Sequence, residues 1–258
     1  MMDNLIFPFF SFLFGSVVGS FLNVCIHRLP RGESIIFPSS QCPYCNQTIR
    51  FYDNIPLLSY LILRGKCRFC GKPISPQYLI VEILSATFSL ILFLKYPIWE
   101  YLIYFSFFSS LLVITFIDLK HQIIPDIISL PGIGIGFLSS FVLSRITYLD
   151  SFLGIALGGG ILYGVALIYY LIMKTEGMGG GDIKLLAMIG AFLGSKAVLV
   201  TIFVSALIGS VVGLTIIVLK GKDRKYAIPF GPFLALGAII SLFWGNSLIA
   251  WYTNLMRW

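Results

Sequence analysis

Eight apolar segments constrain the fold of this chain more than any other feature of its sequence. About 20 consecutive apolar residues can cross a bilayer as a helix. The segments cover residues 5–26, 77–95, 98–117, 125–144, 151–173, 183–195, 197–219 and 229–252. Because 58% of the 258 residues are hydrophobic and only 11% are charged, one soluble core could not bury them. The sequence therefore predicts an all-α polytopic membrane protein with about eight transmembrane helices, the sixth being the shortest.

The basic residues indicate how the chain is oriented. With eight spans, fourteen of the eighteen Lys and Arg residues fall on one side, seven of them in the loop at 27–76. The positive-inside rule then places that loop in the cytoplasm and both termini outside. The net charge of +7 follows from this asymmetry and suits contact with anionic lipid. Since the basic residues flank spans rather than line a soluble groove, we expect no nucleic-acid partner.

Two cysteine pairs in the loop predict a structural zinc site. Cys42 and Cys45 form one C-x-x-C motif, and Cys67 and Cys70 form another. This pattern is typical of sites in which each pair supplies two thiolates to one tetrahedral zinc ion. Two disulfides are the alternative, although a cytoplasmic loop is kept reduced. A loop this small has little core of its own, so a bound metal ion would stabilise it. Cys25 lies apart, at a membrane edge, where we expect a packing role.

Three glycine pairs have the G-x-x-x-G spacing that lets two helices approach closely in lipid. We interpret all three as packing sites. They are Gly15 with Gly19, Gly154 with Gly158, and Gly160 with Gly164.

A glycine-rich run at 177–182 ends in Asp182 and precedes an apolar segment. No Gly-Lys-Ser/Thr follows it at the spacing of a phosphate-binding loop, and no strand precedes it as in a dinucleotide site. The backbone of Gly179, Gly180 and Gly181 has no side chains, so another extended chain could approach it and meet Asp182. The alternative is a flexible helix start that Asp182 merely caps.

A second acidic position lies on the same predicted membrane face. Asp118 directly follows the third apolar segment, and Asp126 follows Pro125 as an acid at a helix start, where the helix dipole favours it. Two carboxylates brought together at a partly desolvated surface share a proton. One can then activate water while the other protonates a leaving amide, which is the chemistry of aspartic proteases.

The order of motifs along the chain resembles the bacterial type IV prepilin peptidases, a family of aspartic proteases with a G-x-G-D motif. The matching stretches run from end to end. They are Gly19 to Val24, Arg28 to Pro30, both cysteine pairs, Arg64 to Cys67, Val81 with Glu82, Phe116 to Asp118, Ile124 to Asp126, Glu176 to Leu185 and Ile228 to Phe233. The resemblance implies that Asp118, and not Asp126, is the catalytic partner of Asp182, with Gly179, Gly180 and Gly181 forming the active-site loop.

The resemblance further implies two reactions at the cytoplasmic face of the bacterial inner membrane. Family members cut the short basic leader from prepilins or pseudopilins. They then methylate the new amino group with S-adenosylmethionine. Relatives without the cysteine loop are peptidases only, so the loop of this chain implies both activities. The implied domains are a first transmembrane helix at 1–26, a zinc-binding, methyltransferase-associated domain at 27–76, and an aspartic peptidase domain at 77–258.

Two residues are candidates for the methyl transfer. Glu82 lies a short way into the second apolar segment, where an unpaired charge is costly, and a carboxylate could attract a sulfonium cation. Its alternative role is an ion pair with an Arg or Lys of the loop. Gly65 matches a position that the family associates with methyl transfer, although a tight turn beside Cys67 would also require glycine.

Two other classes of function fit parts of the sequence. Paired aspartates in a helical bundle also occur in proton-coupled transporters, which relay charge near the midplane. A catalytically silent assembly platform could use the zinc loop to bind partners. Against the transporter, both aspartates are predicted at helix ends, and no inverted hydropathy repeat is evident.

Overall fold

The computed structural model describes residues 3–175, 178–220 and 228–256, and the regular structure in these ranges is helical. The helices are α1 (Asp3–Arg28), α2 (Leu58–Ile62), α3 (Pro76–Lys95), α4 (Ile98–His121), α5 (Asp126–Ser139), α6 (Tyr148–Met173), α7 (Gly180–Leu193), α8 (Ser195–Lys220) and α9 (Gly231–Leu255). The described ranges leave out Glu176 and Gly177, of which Gly177 begins the glycine-rich run. They also leave out the basic residues at 222–225.

The predicted apolar segments correspond to helices. Six helices, α1, α3, α4, α6, α8 and α9, are long and apolar enough to cross a membrane. The other two segments form α5 and α7, which have 14 residues each. The prediction of an all-α polytopic membrane protein is therefore confirmed, while the count of about eight spans is approximate because six of the described helices are long enough to cross. The short α2, inside the loop between α1 and α3, was not predicted.

The chain divides into two compact units, one ending at Val113 and the other beginning at Ile114. In the first unit, α1 packs against α3. Gly15 faces Ser89, Ser85 and Ala86 of α3, and Gly19 faces Glu82, so closely that a β-carbon at either glycine would collide with α3. The predicted packing role of this glycine pair is confirmed.

Helix α7 lies at the centre of the second unit. It packs against α5, α6, α8 and α9, and its residues from Leu185 to Phe192 are all buried. Gly154 and Gly158 of α6 approach the backbone of α7 at Gly190 and Leu186, which confirms the second predicted pair. Since a helix that is apolar on every side must be surrounded, α7 is short but central.

The third glycine pair does not behave as predicted. Gly160 and Gly164 have no atom of the described residues near the positions that their β-carbons would occupy. The packing prediction for this pair is wrong within the part of the chain that the structure describes. The reason is rotational: α6 presents Gly154 and Gly158 to α7, whereas Gly160 and Gly164 lie on faces that no described helix covers.

Candidate active site and metal site

Asp118 lies in the last turn of α4 and is buried, with 5% of its surface exposed. Its Oδ2 accepts a hydrogen bond of 2.9 Å from the backbone N–H of Gly231. The first N–H groups of a helix have no partner within the helix and carry its positive dipole end. Gly231 is the first residue of α9, and Pro232 follows it. The start of α9 thus supplies an N–H donor to the carboxylate of Asp118.

Asp182 lies in the first turn of α7, just before the apolar part of that helix. The helix is preceded by Gly179 in an extended conformation, and no side chain caps it. The alternative that Asp182 serves as the helix cap is therefore wrong. Burial, and secondly the negative charge of Asp118, raise the pKa of Asp182 to about 7. The charge of Asp118 thus acts on Asp182 and disfavours ionisation of both carboxyl groups at once.

The three glycines before Asp182 differ in their surroundings. Gly179 and Gly180 are exposed, and no atom of the described residues lies within 4 Å of the positions that their β-carbons would occupy. A β-carbon on Gly181, in contrast, would lie 2.8 Å from the Cβ atom of Ile124. The backbone at Gly179 and Gly180 is therefore accessible beside Asp182, while Gly181 packs against the segment that precedes α5.

Asp126 has a different environment. It begins α5, as predicted, and its Oδ2 lies 2.7 Å from the Nζ of Lys184 on α7. Both side chains are substantially exposed, so the ion pair contributes at most about 1 kcal/mol. This pair joins the starts of α5 and α7 and was not predicted, since no spacing in the sequence relates the two residues.

The four cysteines of the loop come together. All four are free thiols, and their sulfur atoms lie within 4.8 Å of one another. The Sγ atoms of Cys42 and Cys70 are 3.9 Å apart. A tetrahedral ion with metal–sulfur bonds of about 2.3 Å would hold its sulfurs about 3.8 Å apart. The cluster therefore fits the predicted four-cysteine metal site, and Cys25 is no part of it.

Both halves of the cluster use the same backbone turn. The N–H of Cys42 donates to the carbonyl of Gln47, and the N–H of Cys67 donates to that of Lys72. The residue after each second cysteine has a positive φ, 55° at Asn46 and 69° at Gly71. In the second turn, the backbone N–H groups of Cys70 and Phe69 lower the pKa of Cys67 to about 7. These donors favour the thiolate, which is the form that binds metal.

Glu82 is buried where α1 and α3 meet and makes no ion pair within the described part of the chain. Its Oε2 accepts a hydrogen bond of 2.8 Å from the backbone N–H of Leu57, and the hydroxyl of Ser20 also bonds to this carboxylate. The alternative of an ion pair with the loop is therefore wrong. The loop reaches Glu82 through its backbone, which residue types alone could not reveal.

Gly65 ends the turn that follows α2. It has a φ of 66°, and a β-carbon there would lie 3.0 Å from the hydroxyl oxygen of Tyr60. Its N–H donates to the carbonyl of Tyr60, and its carbonyl accepts from the N–H of Ile74. Backbone conformation is thus sufficient reason for glycine at this position.

Comparisons with known proteins identify the family. Residues 13–111 match the model of the bacterial peptidase A24 N-terminal domain, and residues 105–214 match that of the type IV leader peptidase family. The chain is 37% identical to a prepilin leader peptidase/N-methyltransferase of Aeromonas hydrophila, with 95% of this chain and 93% of the relative covered. The chain belongs to the type IV leader peptidase family.

Two further relatives carry the same name. The proteins of Pseudomonas aeruginosa and Legionella pneumophila are each 34% identical to this leader peptidase homologue, over 96% and 95% of its chain and 94% and 96% of theirs. No solved structure is significantly similar to it.

The two family models divide this leader peptidase homologue near the boundary between its compact units. The four cysteines, Gly65 and Glu82 lie in the N-terminal match, and Asp118 and Asp182 lie in the peptidase match. Gly231, whose N–H contacts Asp118, lies beyond both. In the sequence, the segment from Ile228 to Phe233 served only as one of the stretches that resemble the family. The available signal was the free N–H that any helix start exposes.

Proposed function

We propose that this protein is an aspartic endopeptidase that removes the basic leader from type IV prepilins or pseudopilins. In this proposal it then methylates the new N-terminal amine with S-adenosylmethionine. The observation that carries the peptidase assignment is the interaction between Asp118 and Asp182 beside an open glycine backbone. The names of the relatives, each a prepilin leader peptidase/N-methyltransferase, support both reactions.

The two aspartates have different roles in the proposed cleavage. The N–H of Gly231 stabilises negative charge on Asp118, and a pKa of about 7 lets Asp182 hold a proton in a substantial fraction of molecules near neutral pH. Asp118 accepts a proton from water as the water oxygen attacks the scissile carbonyl carbon, and Asp182 protonates the carbonyl oxygen. The C–N bond then breaks as Asp118 passes its proton to the leaving amine, and the carboxyl product returns a proton to Asp182.

The glycine loop provides the approach for the substrate. An extended peptide needs backbone-level access to both carboxylates, and side chains on the enzyme would block it. Gly179 and Gly180 leave this space free. We propose that the junction between leader and pilin helix lies along these two glycines, while the apolar helix of the substrate remains in the bilayer.

Mass spectrometry of the products tests the two reactions together. A prepilin is incubated with the purified protein and S-adenosylmethionine, and the mass of the resulting pilin is measured. We expect loss of the leader and the added mass of one methyl group. Leader loss without added mass would restrict the function to the peptidase, and an uncut prepilin would overturn the proposal.

We propose zinc as the ion of the four-cysteine site, with a structural role. Four thiolates close the coordination shell and leave no open position for chemistry. The ion would join the two cysteine turns directly, so the loop should depend on it for its fold.

Removal of one ligand is expected to release the metal. Purified protein should contain one zinc ion per chain, and Cys70→Ser should contain less than about a tenth of that, because three thiolates bind zinc far more weakly than four. Elemental analysis measures the content. The matched control is Cys25→Ser, which should retain full zinc because Cys25 lies outside the cluster. Full zinc in both variants would contradict the assignment.

We propose that Glu82 attracts the methyl donor. S-adenosylmethionine carries its transferable methyl group on a positively charged sulfur. Glu82 accepts only neutral donors among the described residues, so its charge has no cationic partner there and could be balanced by such a ligand. Gly65 stays a candidate for the same step, with its turn as a sufficient alternative reason.

Glu82→Gln separates the charge of this side chain from its hydrogen bond. Gln keeps an acceptor oxygen for the N–H of Leu57 but loses the negative charge. We expect normal leader cleavage and at least about tenfold slower methylation, the usual scale for losing a close opposite charge. Methyl incorporation and cleavage are measured in one assay. Unchanged methylation would assign Glu82 a purely structural role.

We also propose a membrane location and a division into domains for this protein. The distribution of Lys and Arg supports an inner-membrane protein with both active sites at the cytoplasmic face, in contact with anionic lipid and without a nucleic-acid partner. We keep the functional division into helix 1–26, zinc and methyltransferase-associated domain 27–76, and peptidase domain 77–258. Both aspartates belong to the compact unit that begins at Ile114.

A further inference from the structure

Helix α2 exposes an apolar stripe in the loop between α1 and α3. Leu58, Leu61 and Ile62 are 56%, 63% and 72% exposed. Their spacing of i, i+3 and i+4 places them on one side of the helix, whereas Ser59 points inward and is buried. Large apolar side chains exposed together on one side of a helix are typical of a surface that contacts lipid or another apolar partner.

The start of α2 is fixed to the transmembrane helices. The N–H of Leu57 donates to Glu82 of α3, and Glu82 also bonds to Ser20 of α1. Leu57 has a φ of 63° and a ψ of −52°, and Leu58 donates to the carbonyl of Pro56 across it. This γ-turn conformation is strained for a leucine. The hydrogen bond from Leu57 to Glu82 can hold the turn in this strained conformation.

The position of Glu82 along α3 gives the depth of this contact. The 20 residues of α3 span about 30 Å, the thickness of a hydrocarbon core. Glu82 is six residues from the start of α3, so its backbone lies about 9 Å below that edge. Its side chain leans toward the helix N-terminus and shortens this depth. Leu57 therefore lies near the boundary between headgroups and acyl chains.

The residues that follow α2 have the opposite character. Arg64 and Lys66 are exposed directly after the apolar stripe. An apolar face flanked by basic residues is typical of segments that lie in a membrane interface. A basic leader peptide would be repelled by the same residues, which favours lipid over substrate as the occupant of this face.

We propose that α2 is an interfacial membrane anchor, which inserts Leu58, Leu61 and Ile62 among the lipid acyl chains. The anchor holds the four-cysteine loop against the bilayer surface, with Arg64 and Lys66 at the level of the headgroups. The residues of this anchor are different from those of the proposed peptidase site, so failure of the anchor proposal would leave the peptidase proposal untouched.

Photocrosslinking tests the contact in the full-length protein. A benzophenone amino acid replaces Leu61, and the protein is reconstituted in vesicles of phosphatidylethanolamine and phosphatidylglycerol. After irradiation, trypsin cuts at Arg50 and Arg64, and the mass of peptide 51–64 is measured by mass spectrometry. The comparison variant carries the same group at Tyr44, which is also exposed, at 58%, but lies in the first cysteine turn and reports on peptide 32–50.

The expected result is a lipid adduct on peptide 51–64 at a yield at least about fivefold above that on peptide 32–50. Equal yields at the two positions would overturn the proposal, as would crosslinks from position 61 to protein alone or to added prepilin. Retention of zinc by each variant reports that the loop is folded. If the Leu61 variant loses zinc, the same measurement at Ile62 decides, because that side chain shares the stripe.

Discussion

Replacing Asp182 with Asn is expected to abolish leader cleavage, with kcat/KM lowered at least about 10³-fold. Asn is nearly the same size but can neither donate nor accept the proton of the reaction. No side chain caps α7, so the helix start should be unaffected. Asp118→Asn should have a similarly large effect, since Asn still accepts the N–H of Gly231 but cannot act as a base. Initial rates of leader removal from a purified prepilin measure both.

Asp126→Asn is the matched control for these variants. It makes the same substitution at a nearby acid whose partner is Lys184, and loss of that exposed ion pair should cost at most about 1 kcal/mol of stability. We expect cleavage within about threefold of the unsubstituted protein. If Asp126→Asn abolished cleavage while Asp118→Asn retained it, the assignment of the two acids would have to be exchanged.

A single methyl group on Gly231 should have the second largest effect. A β-carbon there would lie 2.7 Å from Oδ2 of Asp118, so Gly231→Ala must displace the carboxylate or the start of α9. Misplacing a reacting group by about 1 Å can cost about 10²-fold in rate. We therefore expect cleavage to fall about 100-fold, with zinc content unchanged because the cysteines lie in the other compact unit.

Gly134→Ala is the control for Gly231→Ala. Gly134 lies in α5, and no described atom comes within 4 Å of the position its β-carbon would take. The added methyl group should therefore leave cleavage unchanged. Full activity in Gly231→Ala would show that Asp118 tolerates the displacement, and the proposed role of this N–H would then be abandoned.

Helix positions and the metal site were predictable because each depends on local chemistry. An apolar run of sufficient length must form a helix in lipid, and all eight predicted segments correspond to helices. The cysteine spacing likewise predicted a cluster that the structure assembles. The motif order predicted the family, although the catalytic roles of Asp118 and Asp182 stay predictions that the variants above test.

Contacts that depend on which other segment of the chain lies nearby were not predictable. Gly154 and Gly160 begin identical G-x-x-x-G patterns, but only the first faces another helix, because the rotation of α6 is set by α7 and not by its own sequence. The hydrogen bond to Glu82 comes from the backbone of Leu57, and any residue except proline has that donor. The N–H of Gly231 is hidden in the same way.

The buried core of α7 bears on whether ions can cross the membrane through this protein. Below Asp182, eight consecutive buried residues, Leu185 to Phe192, carry no polar side chain and extend over about 12 Å. An apolar barrier therefore lies beneath Asp182, where transfer of an ion is costly. A hydrolase built in this way can admit its water without opening a path for protons, and so need not dissipate the gradient across the membrane that contains it.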